Sequence, residues 1–264
     1  MLLKGITVLA VVLAVLRGIF GSLLMMPVYF LGYFAALFLA AVLYCVIICA
    51  FVDLKKPVEQ DSKFYRANMY VYIEFLMNIL RVKVTATGLE KTPADGRFLL
   101  VCNHQQMADP GILHHFFRKS QLAFISKKEN EKLPIISKYQ HMTLCQSIDR
   151  EDNRQGLRVI LKCIQLLKED KVSVGVFPEG GTNHDDKLHP LKPGVFKIAQ
   201  KAGVPIVVCT IQGTRPLFHN LKTYSKTPVR LHLVDVIPAE SLKGRTTTDT
   251  VSYTHLTLPT MAVV

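Results

Sequence analysis

The sequence predicts an α/β domain, a mixed sheet flanked by helices, preceded by an N-terminal hydrophobic helical hairpin. Three observations carry this. Beyond residue 80, short apolar runs alternate with helix-length segments, the pattern of strands separated by helices. Residues 6–52 hold one charged side chain, Arg17, and that run exceeds the about twenty residues needed for a single bilayer crossing. Two apolar runs, 98–101 and 172–176, each end abruptly in a loop of polar residues, Pro and Gly. Loops of this kind at the ends of neighbouring strands would face one crevice.

The hairpin is justified by composition. Mean hydropathy is +0.26 although 20% of residues are charged, so the apolar residues must be concentrated, and they are concentrated at the front. Gly18, Gly21, Ser22 and Pro27 mark the break between two helices. Lys4 before the segment and Lys55 and Lys56 after it place both ends on the cytoplasmic side, with a bacterial inner membrane as the expected location. A cleaved signal peptide is excluded by the length of the run and the lack of a small-x-small site before a polar start. The expected division is therefore a membrane-anchoring hairpin over 1–56, an α/β domain over 57–245 and a tail over 246–264 with no assigned function.

Within the domain, residues 64–80 read as a helix packed on the domain or lying at a membrane surface. Residues 81–87 alternate strictly and read as a strand ended by Gly88. Strands follow at 97–102, 122–125, 172–177, 205–211 and 229–236, with helices over 112–118, 133–139, 154–168 and 193–202. In the helix over 154–168, Leu157, Ile160, Leu161, Ile164 and Leu167 form the expected buried face. Pro193 starts the next helix and Gly203 stops it. The sheet is expected to carry its active loops at one edge.

The net charge of +12 falls almost wholly outside the hairpin, which suits a domain lying on anionic lipid and handling phosphate-bearing substrates. No long basic run with interleaved aromatics is present and there is no Trp, so nucleic acid is not an expected partner. Six cysteines without a Cys-x-x-Cys pair, two of them in the apolar segment, fit a reducing compartment.

The chemistry centres on His104, which follows the strand over 97–102 and precedes Asp109 by five positions. A histidine so placed takes a proton from a hydroxyl near neutral pH, and a carboxylate on its far ring nitrogen orients it. The competing reading is that Asp109 only caps the helix opened by Pro110. About seventy residues on, Phe177, Pro178, Glu179, Gly180, Gly181 and Thr182 form the second loop. Two further alternatives are a metal bound by His104, Asp109, His114 and His115, and a nucleophilic Cys102. Adjacent histidines diverge on a helix, and a thiol in an apolar strand is inert core, so neither is favoured.

Together these blocks resemble the glycerolipid acyltransferase family, whose best-known members are the 1-acyl-glycerol-3-phosphate acyltransferases. The resemblance covers roughly residues 65–240. It rests on Asn103, His104 and Asp109 for the Asn-His-x4-Asp block, and on residues 126–134 with 147–150, ending in Arg150, for the second. Phe177, Pro178, Glu179 and Gly180 match the third, and Val204, Pro205 and Ile206 the fourth. Many members continue the third block with Thr-Arg. Here Gly181 and Thr182 stand instead, which shifts the cationic contact to Arg150 and Lys192.

The resemblance implies a glycerolipid acyltransferase-like fold and an enzyme with His104 as general base and Asp109 as its orienting carboxylate. It implies no metal and no cofactor, with acyl-CoA or acyl-carrier protein as co-substrate and a lysophospholipid, most simply 1-acyl-sn-glycerol 3-phosphate, as acceptor. The substrate-binding set is then Asn103, Arg150, Phe177, Pro178, Glu179, Gly180, Gly181, Thr182 and Lys192, with Asn103 also bracing its loop. Another lysolipid, an amino-acid lipid, or a non-catalytic lipid-binding role are the alternatives.

Overall fold

A computed structural model describes residues 1–182 and 189–244. The expected tail, 246–264, and the domain's last residue, 245, lie outside them.

Helices α1 (Leu2–Phe20) and α2 (Met26–Ala50) are joined by a 3-10 turn, Leu23–Met25. The break falls where glycine allows close approach, since a Cβ on Gly18 would sit 2.5 Å from Met26 Cγ. Small residues Ala10, Ala14 and Gly18 form with Ile6 the buried stripe of α1, while Phe20, Leu23, Leu24 and Leu31 are exposed. By length and composition, Leu2–Phe20 and Leu23–Ala50 are each apolar enough to cross a bilayer.

Helix α3 (Lys63–Ile79) connects this hairpin to the domain. Its N-cap Ser62 accepts from Tyr65 N–H at 3.5 Å. One side meets α2, where Tyr65 Oη donates to Ile48 O at 2.9 Å and Phe75 stacks obliquely on Phe38. The other side buries Arg66, which is only 3% exposed, against the domain. Arg66 Nε and Nη2 donate to both oxygens of buried Asp61 at 2.7–2.9 Å, while Nη1 and Nη2 reach Leu122 O at 2.7 Å and Thr143 O at 3.1 Å.

Seven strands form one sheet in the order β1-β7-β6-β2-β5-β3-β4. They are β1 (Val82–Thr87), β2 (Leu99–Cys102), β3 (Leu122–Lys127), β4 (Gln146–Ile148), β5 (Ser173–Val176), β6 (Ile206–Gln212) and β7 (Thr227–Ile237). The sheet is mixed, as expected. β6, β2, β5, β3 and β4 are parallel to one another, and β7 runs antiparallel to β6 but parallel to β1.

Alternation along β2 splits the core. Leu100 and Cys102 face a cluster with Ile112 and Leu113 of α4 (Asp109–Phe116) and Leu217 of α8 (Leu217–Lys222). Leu99 and Val101 face the opposite cluster, containing α6 (Asn153–Lys168) and α7 (Lys197–Ala202). Helix α5 (Pro134–Met142) packs beside the end of α2, with Tyr139 against Cys45.

Four expectations need correction. Helix α6 buries Val159, Cys163, Leu166 and Leu167, whereas Leu157 and Leu161 are 58% and 56% exposed. Its apolar arc is wider than the surface the sheet covers, so periodicity alone left the face ambiguous. The helix expected over 193–202 begins as a 3-10 turn, Pro193–Phe196, and only its last six residues form α7, stopped by Gly203 at φ +72°. Two elements were not foreseen. β4 has three residues and α8 six, too short for a periodic signal.

Burial of Arg66 gives a first expected outcome. Arg66→Met should leave Asp61 buried without its counterion and lower unfolding free energy by about 3–5 kcal/mol, with part restored in the Arg66→Met/Asp61→Leu double variant. Urea denaturation in detergent measures both.

A second comes from His114. It is 6% exposed, and burial followed by the nearby Arg66 charge pushes its pKa down to about 3. Because the folded value lies below the unfolded one, the unfolded chain binds the proton first. Stability should therefore fall as pH drops below about 6.5, with this group contributing up to about 1.4 kcal/mol per pH unit. Denaturation midpoints of wild type and His114→Phe between pH 7 and 5 should show the extra slope only in the wild type.

Candidate active site

Five parallel strands deliver their carboxyl ends to one side of the sheet in the spatial order β6, β2, β5, β3, β4. β2 leads to His104 and β5 to Phe177, so the two loops singled out in the sequence leave adjacent strands. They sit in the middle of the strand order, at the sheet's carboxyl end, where an open α/β sheet binds its ligands.

The loop that carries His104 is organised on one oxygen. Asp109 is fully buried, and its Oδ2 accepts from Gln105 N–H at 2.7 Å, Gln106 N–H at 2.8 Å and His104 Nδ1 at 2.9 Å. The helix cap is Ala108, with no side-chain cap bond, and Asp109 is the first residue inside α4. Its carboxylate thus closes the loop on the histidine rather than capping the helix. A carboxylate only accepts, so His104 Nδ1 carries the proton and Nε2 presents a lone pair.

Three contacts brace this loop. Asn103, 4% exposed, donates from Nδ2 to Ile211 O at 2.9 Å and accepts at Oδ1 from Ile211 N–H at 2.8 Å. Its amide is clasped to β6 by both of these bonds. Glu179 Oε1 accepts from His104 N–H at 2.9 Å, and Oε2 from His189 N–H at 3.0 Å. That carboxylate ties the second loop to the first, a role the sequence reading did not assign. Phe177 stacks on the imidazole at 4.1 Å and 18°, and on Phe124 at 5.4 Å. Phe124 was legible only as part of an apolar strand.

The Pro-Glu-Gly-Gly turn admits two cations. Gly180 adopts φ +77°, and a Cβ there would lie 2.7 Å from Lys192 Cε and 2.9 Å from its Nζ. Lys192 is held in place by its own N–H, which donates to Pro178 O at 2.9 Å. A Cβ on Gly181 would lie 3.7 Å from Arg150 Nη1. Arg150 lines a cleft of about 440 Å3 with Lys127, Lys128 and Lys132 and the carboxylates of Glu129, Glu131, Asp149 and Glu151. Asp149 pairs with Lys128 at 2.9 Å and Glu129 with Lys127 at 2.7 Å. Among the described residues Arg150 forms no ion pair. Thr182 is exposed at the end of the turn.

The rival chemistries find no support in the geometry. Cys102 is fully buried, and burial pushes its thiol well above the ordinary range. His114 points into the core beside Phe124, and His115 contacts Arg118. Among the described residues no three His, Cys, Asp or Glu side chains converge as metal ligands would.

An α/β domain thus sets a buried carboxylate, an oriented imidazole and a cation-flanked glycine turn together at its strand ends. Residues 83–212 match the Acyltransferase family. Among curated relatives, a 1-acyl-sn-glycerol-3-phosphate acyltransferase of Chlamydomonas reinhardtii is 37% identical over 153 residues, 58% of this chain and 45% of that protein. One of Borreliella burgdorferi is 25% identical over 173 residues, 64% of this chain and 68% of that protein. The chain spans about half the length of the plant and algal relatives it matches, 44% and 45%. The fold is shared with the crystal structure of the 1-acyl-sn-glycerophosphate acyltransferase of Thermotoga maritima, at TM-score 0.63 and 21% identity over 96% of this chain and 93% of that one.

The turn itself can be tested by stability. Gly203→Ala adds only the left-handed strain of about 1–2 kcal/mol, because its Cβ would meet nothing within 4 Å. Gly180→Ala should cost more, since the Lys192 stem must also move, and differential scanning fluorimetry should rank it below Gly203→Ala.

Proposed function

We propose that this chain transfers a fatty acyl group from an acyl thioester, acyl-CoA or acyl-carrier protein, to the free hydroxyl of a lysophospholipid. The preferred acceptor is 1-acyl-sn-glycerol 3-phosphate, giving phosphatidic acid. The observation that carries the reading is the 2.9 Å contact between His104 Nδ1 and Asp109 Oδ2, which leaves Nε2 as the ring nitrogen that can take a proton. The names of the relatives agree with it.

In this mechanism His104 Nε2 takes the proton of the acceptor hydroxyl as its oxygen attacks the thioester carbonyl. Asp109 stabilises the resulting imidazolium. The tetrahedral oxyanion is met by the N–H of Gly181, because the Gly180 N–H already donates to Phe177 O at 3.0 Å. Collapse breaks the C–S bond, and the imidazolium returns its proton to the leaving thiolate. No acyl-enzyme is required. The acceptor phosphate is held by Arg150, whose planar fork binds two oxygens, and by Lys192.

The two apolar helices anchor the protein, with Lys4, Lys55 and Lys56 keeping the domain on the cytoplasmic face. Membrane lipids are then both its support and its source of acceptor.

His104→Ala should lower turnover by about 10² to 10⁴-fold while the protein still partitions with membranes. A mass-spectrometric product screen decides the acceptor, offering lysophosphatidate beside other lysolipids with each thioester donor. Equal turnover in wild type and His104→Ala would sink the mechanism, and turnover no higher than background in both would favour a non-catalytic lipid-binding protein.

A further inference from the structure

Helix α8 and the turn after it leave an apolar edge bare. Leu217 is fully buried under the sheet, but Phe218 is 45%, Leu221 40% and Tyr224 76% exposed. Phe218 and Leu221 are three residues apart and share one face of the helix.

The position of this edge follows from how the hairpin packs. Tyr65 bonds Ile48 O, Tyr72 bonds Ala41 O, and Phe75 meets Phe38, so advancing along α3 means moving backward along α2. Helix α3 therefore runs toward the hairpin's apex, and its exit is Arg81. The Arg81 guanidinium lies 4.1 Å from the Tyr224 ring centroid, and its Nη1 donates to Tyr224 O at 2.7 Å. Tyr224 is thus fastened to the end of the domain that faces the apex. At the other end of the helix, Gln106 Nε2 donates to Arg215 O at 3.4 Å, linking α8 to the catalytic loop, where Met107 is 57% exposed.

The chemistry of this edge is interfacial. Residues 213–234 contain Arg215, Lys222, Lys226 and Arg230 and no carboxylate. Aromatic rings among cations, with no acid to repel phosphate, suit the headgroup layer of an anionic membrane. We propose that Phe218, Leu221 and Tyr224, flanked by Arg81, Lys222 and Lys226, are a second bilayer contact that holds the mouth of the active site against the membrane. The proposal rests on the reading of the hairpin as a membrane anchor. A soluble acidic partner would match the cations, but with the apex inserted this edge faces lipid.

The chain contains no Trp, which makes the test direct. Single-Trp variants Phe218→Trp and Tyr224→Trp are compared with Leu31→Trp on α2 and with Leu161→Trp on α6, across the sheet. Each full-length protein is reconstituted into phosphatidylcholine–phosphatidylglycerol vesicles with and without brominated acyl chains. Emission at positions 218 and 224 should shift to the blue and be quenched by brominated lipid, as at 31, while position 161 stays water-exposed. Lys222→Glu/Lys226→Glu should reduce quenching at 224 and leave it unchanged at 31. Quenching at 31, with 224 no more quenched than 161, overturns this proposal and leaves the anchor standing. Absence of quenching at 31 overturns the anchor and this contact with it. A blue shift at 224 that appears without lipid as protein concentration rises assigns the edge to a second copy of the chain and also overturns the proposal.

Discussion

One carboxylate oxygen holds the candidate site together. Asp109 Oδ2 gathers two backbone N–H groups and a ring N–H within 2.9 Å, all from the five residues that precede it. Buried completely, it cannot be satisfied by water, so the loop must fold around it. The same bonds set the imidazole's tautomer and its direction. Orientation of His104 is thus in part a consequence of satisfying a buried carboxylate, with the Phe177 ring lying against the imidazole as a second restraint.

Sheet topology does the remaining work. Because β2 and β5 are parallel neighbours, the His104 loop and the Phe177 loop emerge side by side, close enough for Glu179 to take the His104 N–H and for Phe177 to lie flat on the ring. β3 and β4 extend the same edge, which brings Lys127, Lys128 and Arg150 along one cleft. One glycine of the turn has a steric purpose. Gly180 gives the Lys192 stem room to cross, whereas a Cβ on Gly181 would meet Arg150 only at an ordinary contact distance of 3.7 Å. This chain brings cations to the turn from two other segments, Arg150 and Lys192.

Much of this was legible in the chain, and the exceptions share a cause. The hairpin, the loops at strand ends and the His104–Asp109 spacing are local patterns, visible in hydrophobicity and in residue types a few positions apart. The buried face of α6 was misjudged because Leu157 and Leu161 are apolar yet uncovered, and only the neighbouring sheet decides which part of a wide apolar arc is used. Asn103 and Glu179 are polar residues whose hydrogen-bond partners short-range spacing does not reveal. Their partners, Ile211 and the backbone of His104 and His189, lie 108, 75 and 10 positions away. Helix α8 and the Arg81–Tyr224 stack fall below the length at which periodicity is readable.

The sequence by itself determined which residues could do chemistry and where the chain would be too apolar for water. Those properties reside in side-chain identity and short-range spacing. Only the tertiary structure decided which polar groups are committed to holding loops and which remain open to a ligand. A hydrogen bond between distant segments depends on strand order, and strand order is fixed by packing over the whole domain.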